Sequence, residues 1–441
     1  MQFTSTRNPD LRVSFREAVF NGLAPDGGLY HPIETPDLRD LFQSFTSSQP
    51  FADLAASLLP RLFPEEISKE VAGQIAQRAF PFSPALKAIH PDIQGNIKIL
   101  ELFHGPSCAF KDFGACFLAA VMEEFLKDEA AHAVILTATS GDTGSAVARA
   151  FYKRDNIDVV ILYPSQRVSP LQEKQLTTLG ENIHALEVKG SFDDCQRMVK
   201  EAFVDPQLNR KIRLTSANSI NIGRLIPQAF YYIWAFANLS PAEQESCIFC
   251  VPSGNFGNLT AGVLAWTWGL PVKRFIAATN INKVVPEYLQ EGIYKPRPSV
   301  KTLSNAMDVG NPSNFERLSR IFTGNHTQMH QQIEGIWVTD EETLDTIRRY
   351  YKAEGIFLDP HTALGVQASE RYLKDGYTPR PNCIVSLGTA HPGKFLEIVE
   401  QATGKLPPLP PQLQAVLELP KKATMIENST EALKRFLMEK F

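Results

Sequence analysis

From residue 134 onward, short apolar runs alternate with stretches in which apolar residues recur every three or four positions. The runs at 134–138, 159–163, 183–188, 212–214, 248–251 and 275–278 predict strands. The stretches at 144–154, 170–179, 192–203, 225–239 and 259–268 predict the helices between them. The strands are continuously apolar rather than alternating, which is the pattern of parallel sheets covered on both faces. Residues 292–327, rich in Pro, Asn and Ser, leave this rhythm, and residues 337–352, 361–373 and 384–387 restore it. Residues 1 to about 90 lack it and predict a mostly helical N-terminal region around a turn-rich stretch at 22–32. Residues 403–420 carry five prolines and read as a linker to a C-terminal helix at 429–440. The expected division is an N-terminal domain over 1–95, a smaller α/β domain over 96–215, a larger one over 216–402, and a C-terminal linker and helix over 403–441.

Composition narrows the possible partners. The net charge of −4 and the absence of a basic stripe argue against nucleic acid. No apolar run reaches the ~18 residues needed to span a bilayer, and residues 1–8 contain no apolar signal core. Six cysteines in 441 residues make no disulfide framework. Cys247 and Cys250 have metal-ligand spacing but sit in an apolar run without a second pair, so buried strand thiols are expected and no metal. A cytoplasmic protein follows.

In such sheets ligands bind beyond the carboxyl ends of the strands, and several loops there could carry chemistry. Lys111 lies between Phe110 and Phe113 at a predicted helix start, whose apolar residues are Phe113, Cys116, Phe117, Ala120, Val121 and Phe125. Apolar surroundings lower a lysine's pKa and suit it to bond an aldehyde cofactor. The alternative is a lysine whose stem merely covers apolar surface. Thr139-Ser140-Gly141-Asp142-Thr143-Gly144 joins a strand to a helix, either as an anion site or as a simple cap. Ser253-Gly254-Asn255-Phe256-Gly257-Asn258 does the same with two close glycines; it matches neither the P-loop nor the dinucleotide fingerprint and points to a smaller phosphate-bearing ligand. The loop 386–394 offers the Thr389 hydroxyl, and His391 beside a proline reads as structural. Arg224, after Asn218-Ser219-Ile220-Asn221, is either a two-pronged anion binder or a surface arginine.

Taken together these blocks resemble the threonine synthase family, in its bacterial and fungal branch, among the fold-type II pyridoxal-phosphate enzymes. Ser14-Phe15-Arg16-Glu17-Ala18-Val19, Gly22 through Tyr30, Phe103 through Gly114, and Thr302 through Asp308 are similar to further blocks of that branch. The resemblance implies two parallel-sheet-based α/β domains with the cofactor between them, plus the helical N-terminal region and the C-terminal helical extension. It implies that Lys111 forms the Schiff base with pyridoxal 5'-phosphate. It also implies that Gly254, Asn255, Phe256, Gly257 and Asn258 hold the phosphate and that Thr389 meets the pyridine nitrogen. The implied reaction converts O-phospho-L-homoserine and water to L-threonine and phosphate, by γ-elimination and then β-addition of water. Ser140, Thr143, Ser219 and Arg224 are candidates for the substrate's carboxylate and phosphate. Where the wider group usually has an asparagine facing the cofactor's phenolic oxygen, this chain has Asp142, whose role stays open. A related phospho-lyase giving an α-keto acid, or a non-catalytic phosphate-binding relative, are the alternatives. A monomer is expected rather than a dimer.

Overall fold

The computed structural model describes residues 1–47, 49–90, 95–127, 131–139, 141–165, 168 and 170–441. It contains strands β1 (Phe3–Ser5), β2 (Tyr30–Pro32), β3 (Ala85–Ile89), β4 (Ile97–Glu101), β5 (Ala133–Ala138), β6 (Ile157–Pro164) and β7 (Ile183–Val188). These are followed by β8 (Leu214–Thr215), β9 (Cys247–Pro252), β10 (Arg274–Thr279), β11 (Ile333–Trp337), β12 (Cys383–Gly388) and β13 (Ala423–Ile426). Two sheets dominate. One runs β13-β7-β6-β5-β8 with every neighbouring pair parallel. The other runs β11-β10-β9-β12-β4-β3, parallel except for the outer β3–β4 pair. All residues of β5, β9, β10 and β12 are buried, as helices on both faces require.

Three expectations change here. β3 and β4 join the six-stranded sheet, although the sequence reading assigned them to the N-terminal region and the smaller domain. Ile97 pairs with Ile384, 287 residues further along the chain, and an apolar run does not reveal its partner. The proline-rich 403–420 is not a bare linker. Pro411 occupies the first turn of a helix, Pro411–Leu417, where its missing N–H costs nothing. β13 then pairs with β7, so the C-terminal part also completes a sheet. Leu433 and Leu437 of the last helix, Thr430–Lys440, bury against Val160, Leu162 and Leu186.

The lysine helix, Lys111–Leu126, is apolar over most of its surface. It is buried almost all round, between N-terminal helices on one side and the helices Asp142–Phe151 and Ile222–Ala237 on the other. Phe113 meets Phe51 and Phe82, each at 5.1 Å, and Tyr231 at 5.5 Å. One turn into the helix, a Cβ on Gly114 would stand 2.5 Å from the Arg224 carbonyl oxygen, so only glycine allows the two helices to approach.

The buried Arg317 ties the N-terminal region to the rest. Its guanidinium donates to Tyr30 O and Ile220 O, both at 2.8 Å, and to Asn314 Oδ1. Burial pushes it down to about 9. Nearby His31 is pushed down to about 4 by burial, then by Arg320 and Arg317. A histidine in the unfolded chain titrates near 6.5. Between pH 6.5 and 4 the unfolded chain therefore binds a proton that the folded one refuses, and stability falls as pH drops through that window. His31→Gln should flatten this part of a plot of denaturation midpoint against pH and leave the region above pH 7 nearly unchanged.

Candidate active site

The carboxyl ends of β4, β5, β8, β9 and β12 lead into the loops that carry the candidate residues. Phe110 N donates to Thr389 O at 2.8 Å, and His391 N to Cys108 O at 3.0 Å. The lysine loop and the loop after β12 are thus bound edge to edge. Lys111 is the first residue of its helix, and its ammonium lies 5.8 Å from the Phe110 ring centroid. It has no hydrogen bond to any described residue. Burial holds its pKa below the usual lysine range; Lys394 and Arg224 push the same way, against the carboxylate of Asp142. The sequence reading of a desolvated lysine matches these surroundings, with the charged neighbours as an added cause.

The glycine loop after β9 is built to leave its backbone free. None of the N–H groups of residues 254–258 has an acceptor among the described residues. Asn258 spends its side chain inside the loop: Oδ1 accepts from Ser253 Oγ at 2.9 Å and Nδ2 donates to Pro252 O at 2.8 Å. Phe256, nearly fully buried, takes a left-handed φ of 61° just before the helix Gly257–Thr267, a strained conformation for a large residue. Consecutive free amides at a helix N-terminus form a receptor for an anion. The Pro/Asn/Ser-rich excursion is the outer wall of this loop. Ser313 Oγ donates to Asn255 Oδ1 at 3.1 Å, and Asn314 N donates to Asn255 O at 3.2 Å. Sequence reasoning gave Asn314 no role; only a loop rich in asparagine hinted at this wall.

Arg224 is 2% exposed, which settles the earlier choice against a surface arginine. It donates to Ala217 O, while its Nε has no partner. Among the described residues no carboxylate pairs with it, and burial pushes it down to about 10. Ser219 lies beside the glycine loop, its Cβ 3.9 Å from where a Cβ on Gly257 would stand, and Asn314 Nδ2 donates to its carbonyl at 3.3 Å. Thr143 is half-buried in the first turn of the helix Asp142–Phe151. Ser140 lies outside the described residues. Thr139 caps that helix, its Oγ1 accepting from Gly141 N at 3.2 Å and Gly144 N at 3.0 Å.

The remaining polar residues divide between chemistry and support. Thr389 is buried, its N–H donates to Thr362 Oγ1 at 3.1 Å, and its own hydroxyl has no partner among the described residues. His391 accepts from Gly393 N at 3.0 Å through Nδ1 and packs on Phe103, which is the structural role expected of it. Cys247 and Cys250 are buried in β9. Among the described residues no cluster of side chains could hold a metal ion. Two residues were missed as a unit: Asp142 and Lys394, which form a buried ion pair at 2.9 Å.

These features fit pyridoxal phosphate. An amine without a partner can bond its aldehyde, five free amides can take its phosphate, and a free hydroxyl can face its ring. The family described as pyridoxal-phosphate dependent enzyme matches residues 84–389, and the chain is an enzyme of that class with a fold-type II architecture. The regions described as threonine synthase N terminus and threonine synthase, C-terminal match residues 2–80 and 362–437. The threonine synthase of Haemophilus influenzae is 41% identical over 439 residues, with 100% of both chains covered. The crystal structure of threonine synthase from Escherichia coli superposes with a TM-score of 0.89 at 40% identity, covering 100% of both chains. The PLP-bound threonine synthase of Brucella melitensis superposes at 0.92 with 33% identity, covering 100% of this chain and 99% of its own. The chain belongs to the threonine synthase family.

The two loop glycines should separate structure from binding. A Cβ at Gly254 would lie 2.9 Å from the Ala306 carbonyl oxygen and 2.9 Å from Met307 Cα, both backbone. At Gly257 the nearest atom is the Asn314 side-chain nitrogen, at 3.3 Å. Gly254→Val should therefore lower the melting temperature of the apo-protein as well as cofactor affinity. Gly257→Ala should weaken cofactor binding with little change in melting temperature, as dissociation constants measured beside thermal scans would reveal.

Proposed function

We propose that Lys111 bonds the cofactor aldehyde and that the enzyme converts O-phospho-L-homoserine and water to L-threonine and phosphate. The observation that carries this reading is a Lys111 amine of lowered pKa with no hydrogen bond to any described residue, in a chain whose loop 254–258 offers five amides free among the described residues. The cofactor, when bound, acts as an electron sink that makes protons on the substrate carbons acidic. The backbone of Gly254, Asn255, Phe256, Gly257 and Asn258 holds its phosphate, and the Thr389 hydroxyl meets the pyridine nitrogen. Arg224, buried with no carboxylate partner among the described residues, supplies a cation for the carboxylate or phosphate of the substrate, with Ser140, Thr143 and Ser219 as hydroxyl donors. Lys111 Nζ takes up and returns protons at the substrate carbons, work suited to a lysine of lowered pKa. The carbon–oxygen bond to phosphate breaks, water adds one carbon nearer the amine, and threonine leaves.

The same reading makes the protein a cytoplasmic monomer acting on a small molecule, without nucleic acid or membrane as partner. Six buried, unpaired cysteines support a reducing compartment. Among the described residues no helix is long and apolar enough to cross a membrane.

Borohydride reduction of the holoenzyme followed by peptide mass spectrometry should place the cofactor on Lys111, and Lys111→Ala should abolish phosphate release from phosphohomoserine. An adduct on another lysine overturns the assignment. Product analysis distinguishes threonine from the α-keto acid of a phospho-lyase. Thr389→Val removes only the hydroxyl, and an unmet buried polar group costs ~1–3 kcal/mol. Cofactor affinity should then fall about ten- to a hundredfold, at ~1.4 kcal/mol per decade.

A further inference from the structure

Lys394 stands on the short turn Pro392–Lys394, just beyond Thr389, and its side chain has no exposed surface. Its Nζ donates to Ser107 O at 2.7 Å and lies 2.9 Å from Asp142 Oδ1. Asp142 begins the helix Asp142–Phe151 and is itself buried. Burial alone would raise its carboxyl, but Lys394 and then Lys111 outweigh this and keep it ionised. Lys111 is faced by Asp142 from that helix, by Lys394 from the turn and by Arg224 from the helix Ile222–Ala237. Asp112, on the lysine helix itself, points to the Ser107 backbone, with Ser107 N donating to Oδ2 at 2.9 Å. His361, from the helix Pro360–Lys374, also acts on Asp142. Lys394 and Lys111 therefore share one carboxylate. A buried carboxylate that lost Lys394 would turn to the next cation, and that is the Lys111 ammonium.

We propose that Lys394 is a positioning residue that occupies Asp142, so that this carboxylate does not bind the Lys111 ammonium and the amine stays available for chemistry. The proposal rests on the reading of Lys111 as the cofactor lysine. It also gives Asp142 a role: half of a neutral pair, beside which an anionic group can sit without repulsion.

The test is competitive acetylation of the full-length apo-protein with acetic anhydride across pH, read by peptide mass spectrometry, which reports the pKa of Lys111 without turnover. Lys394→Met should raise it by about one unit or more, the scale for an opposite charge brought into play nearby. Asp142→Asn should lower it. The double variant should return close to wild type, and Lys394→Arg should stay near wild type as well. Shifts of the same sign in the two single variants, or none in Lys394→Met, overturn the proposal. Should Lys394→Met fail to fold, the fall in Asp142→Asn and its reversal in the neutral double variant decide the question, and a double variant no different from Asp142→Asn overturns it. Failure of the underlying reading looks different: borohydride would then fix the cofactor to another lysine while the acetylation pattern at Lys111 could stand.

Discussion

An amine has to lose its proton inside a protein that also needs cations to hold anionic ligands, and the site is organised around that demand at Lys111. Burial favours the neutral amine. The start of a 16-residue helix adds the positive end of a backbone dipole. Arg224 and Lys394 add two full charges on the same side of the balance. Asp142 works against all of them, and its tie to Lys394 limits how far.

The fold supplies the desolvation from two directions. The N-terminal aromatic residues Phe51, Phe80 and Phe82 close on Phe113, two residues beyond the lysine. On the other side Gly114 lets the helix that carries Arg224 come within contact of the lysine helix. The N-terminal region also reaches the glycine loop, because Arg317 grips Tyr30 and Asn314 together, and Asn314 in turn bonds to Asn255. A segment far from the chemistry in sequence thereby braces both the amine and the anion receptor.

Much of this could be read in the chain. Lys111 between phenylalanines, the glycines at 254 and 257 and the apolar strand runs are local signals, and local signals survive without a structure. Pairings between distant segments left no such mark. The sequence reading does not make Ile97–Glu101 a strand, and nothing near it says that its neighbour is β12. Lys394 looks like an ordinary loop residue, and the role of Asp142 stays open, until the two segments meet. The prolines after residue 403 suggested a linker because proline both ends and begins helices, and only the surroundings of Pro410 and Pro411 decide between them.

β13 lies near the end of the chain yet forms an edge of the five-stranded sheet, where it is pinned by Lys421, which bonds both Glu173 and Glu187 at 2.6 Å. On a ribosome, β5, β6 and β7 emerge more than two hundred residues' worth of translation ahead of it, roughly ten seconds or more at ordinary elongation rates. During that interval the flank of β7 has no strand to cover it. The nascent protein therefore carries an open hydrogen-bonding edge until β13 has been made. A message cut short before codon 423 would leave that edge permanently bare, giving cellular quality control a ready means of telling truncated copies from finished ones.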